Sequence, residues 1–138
     1  MNKRYYFYSP LSELTTTQRR ELALYVIGEC VNVLGRKRNK KVPTLEIRKH
    51  DRNAYGYYDE VANTIRVHWD FHKGVGEFVR TIVHEYTHYL QPIKTQYLKL
   101  YKKFGYDEHP FEIEARRNEV ELGSYILKKF RDNLAESK

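Results

Sequence analysis

His84 and His88 stand four residues apart in the stretch TIVHEYTHYL, residues 81–90, with Glu85 directly after the first histidine. Positions i and i+4 of a helix lie on one face about one turn apart, so both imidazoles can reach one metal ion. The pair suits Zn2+, which takes histidine nitrogens at about 2.0–2.1 Å and, in catalytic sites, keeps one position for water. Glu85 cannot point the same way as both histidines, but it can reach a water on the metal. That is where a general base stands in metal-assisted hydrolysis.

Such a site needs a third protein ligand. Downstream, the candidates are His109, Glu112, Glu114 and Glu119. A helix is expected from Pro110 to Asn133, with an apolar stripe of Ala115, Leu122, Ile126 and Phe130 running on to Leu134. At about 100° per residue, Glu112 falls inside this stripe and Glu119 close beside it, while Glu114 points away. A carboxylate within an apolar stripe is costly unless something pairs with it, and a metal ion is a sufficient partner. Glu112 is therefore the expected third ligand, with His109 in the preceding loop as its main rival. Glu119, two turns further on, is placed either to orient a ligand histidine or to pair with Arg116. Tyr106 and His109 are loop candidates for a donor that steadies an oxyanion.

The remaining elements have to hold these residues. Residues 2–8 read as a short aromatic strand or an arm laid on the core. Thr15 and Gln18 fit a capping box, which starts a helix. Its apolar positions Leu22, Ala23, Val26, Ile27, Cys30, Val33 and Leu34 recur at helical spacing up to a stop at Gly35. Cys30 lies on that stripe, as a buried small hydrophobe rather than a nucleophile. The basic segment 36–41 reads as a solvated connector. Three strands are expected next, over 45–49, 54–58 and 64–69, with a turn at 59–63 and a small antiparallel or mixed sheet as the outcome. Gly74 and Gly76 precede the motif helix. Val75, Phe78, Val79, Ile82, Val83, Tyr86, Tyr89 and Leu90 cover one side of it, opposite Glu77, Thr81, His84 and His88. The histidines thus face a surface separate from the core. Pro92 ends this helix, a short helix over 94–104 follows, and Pro110 opens the last one.

A chain of 138 residues is expected to form one domain, 1–138. Hydrophobic content of 41% against 31% charged residues places it among globular rather than disordered chains. One cysteine excludes an internal disulfide framework. No apolar run reaches membrane-spanning length and none follows Met1, so a cytoplasmic protein with no membrane partner and no pro-segment is expected. The net charge of +7 permits acidic partners or nucleic acid without requiring either.

The stretch TIVHEYTHYL resembles the extended zincin signature, and PFEIEA at 110–115 resembles the E-x-x-A segment that supplies the glutamate ligand in gluzincin metallopeptidases. The resemblance spans roughly residues 54–123, matches Glu112 to that ligand and extends to small phage and bacterial metallopeptidase-like proteins. Arg116 stands where many gluzincins carry Asp or Asn. The resemblance implies an α+β, zincin-like minimal metallopeptidase domain, its sheet packed with an N-terminal helix, the HExxH helix and a C-terminal helix. It also implies Zn2+, a peptide or protein substrate, and the strand over 64–69 as the edge strand beside the cleft, binding peptide by β-augmentation. The expected activity is that of a zinc-dependent endopeptidase. Two alternatives are a nucleic-acid-associated protease similar to Spartan-like enzymes and a non-catalytic zinc-stabilised binding domain.

Overall fold

The computed structural model describes residues 10–136, with side chains through residue 133. The expected aromatic arm at 2–8 lies outside the described residues, as does the side chain of Leu134. After a 3-10 turn at Leu11–Glu13 comes helix α1, Thr16–Leu34. Its start is the expected capping box: Thr15 Oγ1 accepts from the Gln18 amide at 3.1 Å, and Gln18 Oε1 accepts from the Thr15 amide at 2.8 Å. Gly35 ends it at φ 80, a left-handed value that glycine adopts without strain.

The buried sector of α1 centres on Ala23, Val26 and Cys30. Val33 falls at its rim and is 53% exposed, contrary to expectation. Arg19 takes a place in the sector instead. Its guanidinium donates to the Leu11 and Leu14 carbonyls at 2.9 and 2.7 Å and lies over the Trp69 ring, tying the N-terminal turn to the core.

Strands β1 (Thr44–Arg48), β2 (Gly56–Asp59) and β3 (Thr64–His68) form a mixed sheet in the order β1-β3-β2. The expected hairpin joins β2 to β3, with Asp59 Oδ1 accepting from the Ala62 amide at 3.1 Å and Asn63 at φ 49. β1 lies on the other side of β3 and runs parallel to it, with Leu45 opposite Ile65 and Ile47 opposite Val67. This corrects the expectation for 64–69. β3 is the central strand, its Ile65 and Val67 fully buried, and the edges are β1 and β2. Gly56 permits the close packing of β2: a Cβ there would lie 2.7 Å from the Arg66 carbonyl oxygen and 3.0 Å from Thr81 Cγ2.

Helix α2, Val75–Leu90, is the centre of the packing. Its apolar side buries Val75, Phe78, Val79, Ile82, Val83, Tyr86 and Tyr89 against α1 and the sheet, as the periodicity predicts. Tyr86 donates to the Gly35 carbonyl, and Tyr89 donates to the Lys40 carbonyl at 2.8 Å while accepting from the Lys37 amide. The basic segment is thereby stitched to the back of the motif helix. The opposite side of α2 packs on helix α4, Pro110–Glu136. Ala115, Leu122 and Ile126 are buried there as expected. Between them, α3 (Ile93–Phe104) lies across the start of α4 and buries no residue fully. The chain is α+β, and none of the helices among the described residues is long and apolar enough to cross a membrane.

Candidate metal centre

His84 and His88 occupy successive turns of α2, their ring centroids 4.9 Å apart. Glu112 comes from the first turn of α4, where a carboxylate also suits the helix dipole. Its Oε1 lies 3.1 Å from His84 Nε2 and 3.2 Å from His88 Nε2. Glu112 is buried at 3% exposure, so the expected carboxylate in the apolar stripe is present and sits against the two imidazoles.

The outer ring nitrogens are both held. His84 Nδ1 lies 2.8 Å from Glu119 Oε1, an acceptor, so Nδ1 carries the proton. His88 Nδ1 lies 2.7 Å from Gln91 Oε1. The amide of Gln91 is oriented by its Nε2, which donates to the Phe111 carbonyl at 3.0 Å and to Glu114 Oε1 at 2.7 Å, so Oε1 faces the histidine. With Nδ1 donating outward, each ring when neutral has its lone pair on Nε2, the nitrogen that faces Glu112 Oε1. Three such donors at one place need a positive charge among them, as ring protons or as a metal cation.

The electrostatics carry the same message. Burial alone would raise the Glu112 carboxyl, but the bonds to His84, His88 and Tyr97 and the charge of His88 hold it well below the usual carboxylate range. Burial alone would lower His84, yet its contacts with Glu112 and Glu119 raise it to about 10, and His88 is raised for similar reasons. The cluster favours positive charge, supplied by protons or by a metal. Two ligands about 2.0–2.1 Å from one tetrahedral ion lie about 3.3 Å apart. The spacings of 3.1 and 3.2 Å fit that geometry, and an N, N, O donor set with outer-nitrogen acceptors suits Zn2+.

Glu85 is buried beside this set, and donor atoms of His84, Glu85 and His88 lie within 4.8 Å of one another. Burial pushes its carboxyl up to about 7, partly offset by the two histidines. A cleft of about 750 Å3 opens onto the cluster. One wall is β2 and the loop before it, including Tyr55, Tyr57 and Tyr58; Ile93, Tyr97, Tyr106 and Arg116 line the other side.

The rival ligands are engaged elsewhere. His109 is fully buried; its Nδ1 accepts from the Phe111 amide at 3.1 Å, and its Nε2 donates to the Tyr97 carbonyl at 3.0 Å. It caps α4, with both ring nitrogens engaged by the Phe111 amide and the Tyr97 carbonyl rather than turned to the histidine pair. Glu114 is exposed and bound to Gln91. Glu119 meets His84, while Arg116 donates to the Asp107 carbonyl. Two contributors were not foreseen. Tyr97 donates to Glu112 Oε2 at 2.6 Å, and Gln91 holds His88. The available signal was weak: an amide just past the second histidine, and a tyrosine on the apolar side of the α3 sequence. Comparisons with protein families, with curated proteins and with solved structures gave no match to this chain.

Proposed function

We propose that this protein is a zinc-dependent endopeptidase of zincin-like fold, with His84, His88 and Glu112 as metal ligands and Glu85 as general base. The meeting of His84 Nε2 and His88 Nε2 at one Glu112 oxygen, 3.1 and 3.2 Å away, is the observation that supports the reading. A zinc ion held there would lower the pKa of water from about 15.7 towards 7 and polarise a scissile carbonyl.

Glu85 accepts the proton of the attacking water and delivers it to the leaving amine. Its burial beside the histidines suits both tasks, since a carboxyl near neutrality holds and releases a proton at similar cost. With His109 engaged, Tyr106 in the cleft wall is the remaining oxyanion donor of the two considered. The extended substrate pairs along β2, the edge strand that lines the cleft, rather than along the central β3. A closed structural zinc site takes four protein ligands. Three donors facing an open cleft with a buried carboxylate beside them favour catalysis over that role.

The test is zinc content and hydrolysis of a peptide library by wild type, His84→Ala and Glu85→Gln. Wild type should bind zinc and cleave. His84→Ala should lose both, and Glu85→Gln should keep the metal while its rate falls about 100-fold or more. Cleavage by Glu85→Gln at the wild-type rate would falsify the mechanism.

A further inference from the structure

We propose that Tyr97 and Gln91 are the positioning residues of this centre: Tyr97 confines Glu112 to one donor oxygen, and Gln91 latches the histidine helix to the helix that carries Glu112. The inference rests on the zinc site proposed above and concerns how its coordination is set.

A carboxylate with both oxygens free can bind a cation through both. Here the Tyr97 hydroxyl engages Oε2 at 2.6 Å, while Oε1 faces the two imidazoles. Glu112 therefore offers a single atom. Three one-atom protein donors would leave a tetrahedral ion one position for a ligand from outside the protein. Tyr97 is itself fixed. Its ring stacks on His109 with centroids 4.1 Å apart and planes 27° apart, and its carbonyl accepts from His109 Nε2. Since His109 also caps α4 through the Phe111 amide, tyrosine and first turn behave as one unit, with the hydroxyl aimed at Glu112.

Gln91 acts on the other half of the set. Its side-chain oxygen accepts from His88 Nδ1, and its nitrogen donates to the carbonyl of Phe111, the residue just before Glu112. One buried amide thus sets the tautomer of one ligand and the place of another. Neither role could be filled by a group that only packs.

Cobalt substitution gives a readout separate from activity, because four-coordinate Co2+ absorbs visible light more strongly than five-coordinate Co2+. Wild type should take up Co2+ and show the strong four-coordinate bands. Tyr97→Phe keeps the ring that stacks on His109; it should still take up Co2+, with weaker and shifted bands as Glu112 turns bidentate. Tyr101→Phe, on an exposed turn of the same helix, should match wild type. Gln91→Met should bind zinc about 10-fold or more weakly in chelator competition, with thermal melting of the metal-free protein reporting its fold. If Gln91→Met does not fold, the Tyr97→Phe spectrum still decides. Cobalt uptake with an unchanged spectrum in Tyr97→Phe overturns this inference and leaves the zinc site standing. A wild type that takes up no metal overturns the zinc site and this inference with it.

Discussion

Burial has different consequences for Glu119, Cys30 and Glu114. Glu119 is half-buried and holds His84 Nδ1, so Glu119→Ala should weaken zinc binding about 10- to 100-fold in a chelator titration. Glu114→Gln keeps an acceptor oxygen for Gln91 and should leave the affinity unchanged. Cys30 is fully buried, and burial pushes its thiol up to about 12. It should resist a thiol-specific reagent at neutral pH in the native protein and react once denaturant is added; fast native labelling would contradict that placement. Glu112 was legible in the sequence because a carboxylate on an apolar stripe needs an explanation. The duties of Tyr97 and Gln91 were not, since they depend on how α3 lies across the start of α4. His109 was misleading for a similar reason: residue type makes it a ligand, and only its two hydrogen bonds show that both nitrogens are engaged.

Among the elements, helices were readable and sheet order was not. The capping box, the glycine stop and the apolar sides of α1, α2 and α4 are local patterns, and they appear where the spacing predicts them apart from the exposed Val33 and the half-buried Phe130. Strand pairing is set by contacts distant in sequence. Alternation in β3 marks a strand but cannot tell a central one from an edge, so the hairpin and a possible mixed sheet were legible while the place of β1, parallel and beside β3, was not. The seam between α2 and α4 joins the two halves of the candidate site. Ile126 is fully buried on α4; Ile126→Ala should cost about 2–5 kcal/mol in a urea titration. An unchanged midpoint would mean that α4 is held by something other than this packing.

For the whole molecule, metal and pH should both move stability. A ligand set that bridges two helices makes binding part of folding. Free zinc at about 100 times its dissociation constant should add about 2.7 kcal/mol, read as a higher melting temperature that a chelator reverses. His72 brings a pH term. It is buried between the His68 carbonyl and Thr81 Oγ1. Burial lowers it below its ordinary value of 6.5, opposed by its hydrogen bond to His68 and the charge of Glu77. Between the folded and unfolded values the unfolded chain binds more protons, so stability rises with pH across that window. The contribution is complete above about 6.5 and is lost as pH falls below it. In metal-free protein the raised Glu85 carboxyl acts in the opposite sense over the same range, so His72 is read by difference. In chemical denaturation wild type should gain more stability with rising pH than His72→Gln, and equal slopes would rule it out.

The stitching of residues 35–40 to Tyr86 and Tyr89 has a consequence for proteolysis. Six positions, 36–41, hold five lysines and arginines, a composition that invites trypsin. Trypsin needs several residues of chain to lie extended in its cleft, and here the Gly35 and Lys40 carbonyls and the Lys37 amide are tied to the motif helix. Cleavage in this segment must wait for the tyrosine bonds to break. Tyr89→Phe removes one donor to the loop and should turn the segment into an early cut site, visible as a new fragment pair on limited digestion.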